Sequence, residues 1–174
     1  MVASATSADA YAKGDEVTLF ANKVGPFANP NEVYAYYSLP YCAPSEITTK
    51  REDLGALLKG DRATKTAYTL NFLEDLPLEQ LCETRLDADA LRTFRTAIAQ
   101  DYYFEMMLDD LPIWGYVGDY ENATRHLLFT HLDFSISYSA DRIIEVNATA
   151  DSLQRVLLGE APQTVQFSYS VRWV

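Results

Sequence analysis

Asp109 and Asp110 are adjacent acids in the stretch EMMLDDLPIWGYVGD of residues 105–119, and side-by-side carboxylates can perform acid–base chemistry or hold a metal ion. Glycosidases need two carboxyls that face one substrate from about 5 to 10 Å apart. Neighbouring residues on a strand point to opposite faces, so a strand that continues through both acids would keep them out of one site. Asp-Leu-Pro after a strand is instead typical of a turn, in which Pro112 fixes φ and an Asp carboxylate caps a free N–H. The pattern favours a structural turn, with Trp114 packed on the core, over a catalytic pair.

Other residue types that could do chemistry are sparse. His126 and His131 are five apart, which on one strand places them on opposite faces. His131 and Asp133 are predicted to form a solvated pair on an outer face. The sequence contains no D-x-D-x-D-G calcium loop, no C-x-x-C pair and no G-x-S-x-G. We therefore predict no catalytic residue, no metal ligand and no cofactor.

The composition restricts the class of partner. The 174 residues carry a formal net charge of −11 without a long basic run, which argues against a nucleic acid or an anionic membrane surface as partner. No stretch approaches the roughly 18 consecutive apolar residues of a spanning helix. The chain contains twelve tyrosines, and tyrosine is enriched in strands.

Alternating polarity predicts mainly strands. Residues 165–173, VQFSYSVRW, place Val165, Phe167, Tyr169, Val171 and Trp173 on one face. Residues 128–138 form a second such run, with Leu128, Leu132, Phe134, Ile136 and Tyr138 as the inner face, and a turn at 139–141 leads into a hairpin partner at 142–147. Further strands are predicted at 16–23, 33–37, 67–74, 78–86, 102–108 and 114–117, and helices at 51–59 and 89–99. The expected fold is mainly β: a two-sheet antiparallel β-sandwich with one or two short helices.

Cys42 and Cys82 are the only cysteines, and they could be two buried thiols or one disulfide. Asn122-Ala-Thr124 and Asn147-Ala-Thr149 are two glycosylation sequons, which favour a secretory compartment and therefore a disulfide. A Cys42–Cys82 bridge would contribute about 4 kcal/mol to stability in the chain-entropy model. Ala8-Asp9-Ala10 fits a signal-peptidase pattern, although the residues on their own favour a flexible N-terminus at 1–10 ahead of one domain at 11–174.

The aromatic residues leave a second function open. Clusters such as Tyr34, Tyr36 and Tyr37 could stack on sugars or peptides, although such residues more often pack in a core. A carbohydrate- or ligand-binding β-sandwich module is therefore the alternative hypothesis. Burial of Tyr34, Tyr36, Tyr37, Trp114 and Tyr116 would count heavily against it.

An ordered series of motifs resembles the nonaspanins, the transmembrane-nine superfamily. It covers nearly all of residues 11–174. The motifs are YAKGD at 11–15, NKVGP at 22–26, YAYYSLPYC at 34–42, LKGDR at 58–62, DDLPIWGYVG at 109–118, HLDF at 131–134, DRII at 141–144 and FSYSVRW at 167–173. Each motif is weak alone, and their order makes the resemblance specific. Tyr116 stands where phenylalanine is commoner, and Ala67-Tyr68 where Ser/Thr-Pro-Tyr is usual; both changes are conservative for packing.

The resemblance implies a lumenal N-terminal domain that precedes membrane spans absent from this sequence. It implies a non-enzymatic glycoprotein of endosome and Golgi membranes that sorts membrane proteins or takes part in adhesion and phagocytosis. The implied partners are membrane-protein cargo or the protein's own membrane domain. It also strengthens the disulfide and glycan expectations, and it makes Asp109, Asp110, Pro112 and Trp114 signature residues that are candidates for interaction.

Overall fold

The computed structural model describes residues 10–50, 63–150 and 153–174. The strands in these ranges are β1 (Glu16–Val17), β2 (Leu19–Pro26), β3 (Thr64–Lys65), β4 (Leu70–Asn71), β5 (Leu76–Leu86), β6 (Tyr102–Leu108), β7 (Leu111–Tyr116), β8 (Gly118–Asn122), β9 (Arg125–Phe129), β10 (His131–Ser139), β11 (Arg142–Ala150), β12 (Arg155–Leu157) and β13 (Gln163–Trp173). A 3-10 helix covers Tyr36–Ser38, and α1 covers Ala88–Ala99. No helix in the described part of the chain is long and apolar enough to cross a bilayer.

Two four-stranded sheets form the main layers. The first sheet has the strand order β3-β2-β6-β7, and all its pairs are antiparallel. The second has the order β11-β10-β13-β5, and β7 of the first sheet lies beside its edge strand β11. The predicted mainly-β sandwich is confirmed. One feature was not predicted: β10 and β13 pair in parallel, with His131 opposite Ser168.

Smaller elements complete the fold. The strands β12, β9 and β8 form a three-stranded sheet, and β1 pairs with β4. The helix α1 begins after Asp87, whose carboxylate accepts a hydrogen bond from the Ala90 N–H at 2.8 Å and thereby caps the helix. Its buried face consists of Leu91, Phe94, Ala97 and Ile98, at helical spacing.

Aromatic contacts join the two sheets. Tyr36 packs against Phe104 of β6 with ring centroids 6.3 Å apart, and it stacks on Tyr41 at 5.0 Å. Tyr41 in turn contacts Phe94 of α1 and Phe167 of β13. The segment around the 3-10 helix is therefore part of the core that holds helix and sheets together.

Cys42 and Cys82 form a disulfide, with Cα atoms 6.0 Å apart. Cys42 follows the 3-10 segment and is buried, whereas Cys82 lies on β5 opposite Phe167. The bridge therefore fastens the segment that carries Tyr36 and Tyr41 to the second sheet.

Several predicted elements agree with the structure. The strand at 102–108 matches β6, the strand at 78–86 lies within β5, and the helix at 89–99 lies within α1. The C-terminal strand buries Val165, Phe167, Tyr169 and Val171 as expected, and the hairpin turn falls between Ser139 and Arg142. The helix predicted at 51–59 lies outside the described residues.

Three predicted elements were wrong in whole or part. The strand at 33–37 is absent, because Tyr34 makes a single bridge to Val24 before the chain enters the 3-10 helix. The strand at 67–74 is reduced to Leu70–Asn71, since Leu73 adopts a φ of +59° that ends it. The run at 128–138 is two strands in different sheets, and Tyr138 is exposed at its end.

Candidate interaction surface

Asp109 and Asp110 are the two central residues of a tight turn between β6 and β7. Their φ values are +49° and +62°, and Leu108 pairs with Leu111 across the turn. Two left-handed residues in a two-residue loop define a type I′ hairpin, whose twist matches that of the flanking strands. The predicted turn is therefore present. Pro112 does not build it: that residue lies within β7, opposite Met107.

Both acids line one cavity of about 300 Å³. The alternation that would separate them applies only to a strand running through both residues, and the left-handed turn interrupts that strand. Asp109 accepts a hydrogen bond from the Tyr11 hydroxyl at 3.2 Å. The exposed Asp110 forms an ion pair with Lys50 at 3.1 Å. Each carboxylate therefore has a contact that holds the turn to a neighbouring segment.

The outer face of the β6–β7 hairpin carries exposed aromatic rings. Tyr103 pairs with Tyr116 across the two strands, and Glu105 pairs with Trp114. Trp114 is 58% exposed, Tyr116 37%, and Phe27, which follows β2, is 56% exposed. We refer to Phe27, Tyr103, Trp114 and Tyr116 as the aromatic surface.

The rings of the aromatic surface contact one another. Tyr116 lies 6.0 Å from Trp114 and 5.9 Å from Phe27, and Phe27 lies 6.3 Å from Tyr103, measured between ring centroids. The interplanar angles are 86°, 58° and 83°, so the rings meet edge to face and do not form a flat platform. The cluster is therefore a continuous but uneven apolar surface.

Trp114 was predicted to pack on the core, and that prediction was wrong. In β7 the core-facing residue is Ile113, which is 3% exposed, and alternation sends Trp114 to the other face. On that face, Glu105 accepts a hydrogen bond from the Asn22 side chain at 2.6 Å and lies 3.8 Å from the Lys23 ammonium. The acid beside Trp114 is thus held by polar partners while the ring remains open to solvent.

Gly115 allows the hairpin to sit closely on the core. A Cβ atom at this position would lie 2.8 Å from the tip of the Phe104 ring, which is closer than real Cβ contacts allow. Phe104 is opposite Gly115 in the β6–β7 register, so its ring covers the glycine. In the signature Trp-Gly-Tyr, Gly115 thus leaves room for the Phe104 ring, and Trp114 and Tyr116 face outward.

His131 and Asp133 do not form the predicted solvated pair. His131 is buried, and its Nδ1 lies 2.7 Å from the Ser168 hydroxyl while its Nε2 lies 3.4 Å from Asp133. Asp133 also accepts a hydrogen bond from Ser170. The prediction failed because the parallel strand β13 places Ser168 and Ser170 beside these residues. The polarity pattern within β10 gives no information about that neighbouring strand.

The order Ser168–His131–Asp133 resembles that of a hydrolytic triad, but its setting does not. The Ser168 N–H donates to the Thr130 carbonyl at 3.0 Å, and β13 is paired on both sides. A triad needs backbone donors free to bind an oxyanion. The backbone here supplies ladder hydrogen bonds, so we interpret this row as a structural polar network. The described residues hold no group of three or more His, Cys, Asp or Glu positioned to bind a metal.

The two sequon asparagines lie in different settings. Asn122 ends β8 in a turn, and its side-chain oxygen accepts hydrogen bonds from the Thr124 N–H at 3.0 Å and the Thr124 hydroxyl at 2.7 Å. Asn147 lies within β11, is exposed, and donates to Glu145 at 3.0 Å. Both side chains therefore face solvent.

Some site residues were not found from the sequence. Tyr103 could have been identified, because it alternates with Glu105 and Met107 on the outer face of a correctly predicted strand. Phe27 carried no such signal, since it follows β2 and reaches the cluster only through tertiary packing. Among the tyrosines named as candidate platforms, Tyr34 is exposed, Tyr36 is buried and Tyr37 is half-buried.

Comparison with known proteins identifies relatives along the whole chain. Residues 33–174 match the family model described as Endomembrane protein 70. The chain is 46% identical to transmembrane 9 superfamily member 5 of Arabidopsis thaliana, over 96% of this chain and 30% of that protein. It is 40% identical to transmembrane 9 superfamily member 1 of Bos taurus, over 94% and 28%, and 36% identical to putative phagocytic receptor 1b of Dictyostelium discoideum, over 94% and 29%.

This chain spans about 30% of the length of these curated relatives. No solved structure matches it. The family model covers well over half of the chain, and it includes the hairpin that carries the acid pair, Tyr103, Trp114 and Tyr116. The protein therefore belongs to the endomembrane protein 70, or transmembrane 9, family of membrane proteins.

Proposed function

We propose that this chain is the non-catalytic lumenal domain of a transmembrane 9 protein that sorts membrane proteins in endosomes and the Golgi, and that it binds through the aromatic surface. The partner is membrane-protein cargo or the protein's own membrane domain. The observation that carries the proposal is the cluster of exposed, mutually contacting rings on the signature hairpin and at the adjacent Phe27. Membership in a membrane-protein family and the phagocytic receptor name of one relative support this context.

The chemistry of the aromatic surface suits a protein partner. Trp and Tyr dominate the energetic centres of protein interfaces, because they bury large areas with few rotatable bonds. Monomeric proteins seldom leave contiguous apolar patches without a role. Edge-to-face rings favour an irregular protein surface, since an extended sugar chain would stack best on coplanar rings.

The test uses the full-length protein in cells. A photoreactive amino acid replaces Trp114, and a second protein carries it at Leu78, an exposed residue of β5 that serves as the control. We expect crosslinks at position 114 to peptides of membrane-protein cargo or of the protein's own membrane domain, and fewer at position 78. Equal labelling at both positions, or labelling by lipid alone, would contradict the proposal.

A consequence for sorting can be measured separately. Trp114→Ala with Tyr116→Ala should reduce cargo retention without unfolding the domain, because both rings are exposed. Leu78→Ala is the matched control. Normal cargo distribution in the double variant would show that sorting does not require the aromatic surface.

Carbohydrate binding is the second candidate, and one cavity favours it. Tyr34 and Tyr102 stack with their planes 7° apart beside a cavity of about 320 Å³, which Ser38, Arg92 and Thr93 also line. A ring face beside hydroxyl and guanidinium donors is suited to a sugar. Titration with oligosaccharides distinguishes the candidates: weakening by Tyr34→Ala but not by Trp114→Ala supports sugar binding in this cavity.

A further inference from the structure

A cavity of about 450 Å³ lies between α1 and β9, and neither the aromatic surface nor the family assigns it a role. Its polar lining residues are Arg92, Arg95, Thr96, His126 and Glu160. Arg92 is already paired with Asp89, at 2.9 Å. The remaining groups show which ligand the cavity suits.

Arg95 is the cation available to a ligand. Its side chain is half-buried in the cavity wall, and no carboxylate of residues 10–50, 63–150 or 153–174 lies within 4 Å of it. A guanidinium has five donors in a planar fork, and that fork matches both oxygens of a carboxylate. Arg95 thus has unused capacity for an anion.

His126 supplies a second donor. It is 93% buried, and its Nδ1 is enclosed without a hydrogen-bond partner among the described residues. If the neutral ring carries its proton on Nε2, the enclosed Nδ1 has only a lone pair. Burying an unpartnered lone pair costs less free energy than burying an unpartnered N–H. Nε2 is not among the enclosed atoms without a partner, and His126 lines the cavity, so in this tautomer the Nε2–H is the donor that the ring can offer to a ligand there.

The charges of the lining residues select a monoanion. Arg92 and Arg95 against Glu160 give a net charge of +1, and the Arg92–Asp89 pair reduces it further. A singly charged carboxylate neutralises this net charge, whereas a dianionic phosphate would leave the cavity with excess negative charge beside Glu160. We infer that this cavity binds a carboxylate group, with the Arg95 guanidinium and the His126 Nε2–H as donors. The carboxylate can belong to a small organic acid or to an acidic side chain of a partner.

Titration of the 174-residue chain tests the site. Backbone amide shifts of Thr96 and His126 are followed by NMR as sodium acetate replaces sodium chloride at constant ionic strength. Acetyl-Gly-Glu-Gly-amide is the second probe, with its Gln counterpart as the uncharged match. We expect the acetate and Glu-peptide titrations to saturate and the Gln-peptide titration to show no binding. Tighter binding of the Glu peptide would identify a protein side chain as the source, and tighter binding of acetate a small acid.

Variants identify the donors. Arg95→Gln should weaken binding about tenfold or more, and Arg95→Lys less, because it keeps the charge but loses the fork. His126→Phe keeps the ring volume and should also weaken binding; if it does not fold, the two Arg95 variants still decide. Arg172→Gln, on β13, is the matched control. Binding unchanged in Arg95→Gln, or equal binding of the Glu and Gln peptides, would overturn the inference.

Discussion

Asp109 and Asp110 show how one pair of residues can determine a local fold through backbone conformation. Both adopt positive φ, which aspartate tolerates better than most residues because its short side chain can hydrogen-bond locally. Tyr11 and Lys50 then contact the two carboxylates and attach the turn to neighbouring segments. The acids therefore support the hairpin that presents Trp114.

Replacement of Asp110 separates backbone conformation from charge. Asp110→Gly should change the free energy of unfolding by less than about 0.5 kcal/mol, because glycine adopts positive φ without steric cost and the lost Lys50 pair is exposed. Asp110→Val should lose about 1–2 kcal/mol, since a β-branched residue resists this conformation. Urea denaturation measures both, and Lys50→Ala controls for the ion pair. Equal losses in the two Asp110 variants would show that the carboxylate, rather than its backbone, stabilises the turn.

The sequons lead to a second prediction at the residue scale. In a eukaryotic secretory host, Asn122 should carry a glycan, because its turn is exposed and needs little rearrangement. Asn147 lies within a strand, so we expect lower occupancy there. Peptide mass spectrometry with and without glycosidase measures occupancy, and Thr124→Ala should abolish it at Asn122. An unmodified Asn122 in secreted protein would refute the prediction.

At the scale of elements, β8 has a packing constraint that explains the second glycine of the signature. A Cβ atom at Gly118 would overlap the Leu127 carbonyl oxygen of β9 and lie 2.8 Å from the Ile98 side chain of α1. The absence of a side chain therefore lets β8 approach β9 and the helix together.

Gly118→Ala should destabilise the protein by about 1–3 kcal/mol, the usual cost of overpacking, because one of its neighbours is backbone that cannot rotate away. Gly159→Ala is the matched control: its Cβ would meet only the flexible Gln163 side chain, at 3.4 Å. Thermal unfolding followed by circular dichroism measures the difference. A smaller effect at Gly118 than at Gly159 would show that β8 does not pack against β9 and α1 this closely.

The elements also show what could be predicted from local sequence signals. The strand β6 was predicted as one of several short runs separated by turn residues, and the helix α1 from an acid that can cap its first turn. The segment at 33–37 was mistaken for a strand because its tyrosines favour strands, whereas the burial of Tyr36 against Tyr41 and Phe104 requires a 3-10 turn. Tertiary packing overrode local propensity there.

At the scale of the whole molecule, the disulfide joins parts of the chain that are distant in sequence. The bridge between Cys42 and Cys82 closes a loop with a sequence separation of 40. Replacing both cysteines with alanine should lower the free energy of unfolding by about 4 kcal/mol in the chain-entropy model. Urea denaturation of the variant and the oxidised wild type measures the loss. Mass spectrometry of unreduced peptides should show Cys42 joined to Cys82, and free thiols on folded protein would refute the bridge.

The tyrosine-rich core makes stability sensitive to alkaline pH. Burial raises the pKa of Tyr36 well above its ordinary value of 10.0, and burial raises the pKa of Tyr37 to about 12 despite a hydrogen bond with the Ala67 backbone. The unfolded chain releases these protons near pH 10 and the folded chain retains them. Stability should therefore be complete below pH 10 and fall as pH rises from 10 towards 12, by about 1.4 kcal/mol per pH unit for each retained proton.

Urea denaturation at a series of pH values measures this slope. Tyr36→Phe keeps the ring contacts with Tyr41 and Phe104 but should reduce the slope by the share of one proton. Tyr120→Phe, at an exposed position, should leave it unchanged. Equal slopes in all three proteins would contradict the assignment of this pH dependence to Tyr36.

The sequence alone determined the β-rich class, several of the strands, the helix at 89–99 and the family, because periodicity and ordered motifs are local properties of the chain. Only the tertiary structure placed both acids on one cavity, turned Trp114 outward beside Phe27, and buried His131 against Ser168. Each of these depends on how a strand is paired or a turn is twisted, and such neighbours are distant in sequence. The signature hairpin was recognisable from its residues, but its exposed aromatic surface required the register of two strands and the loop that follows a third.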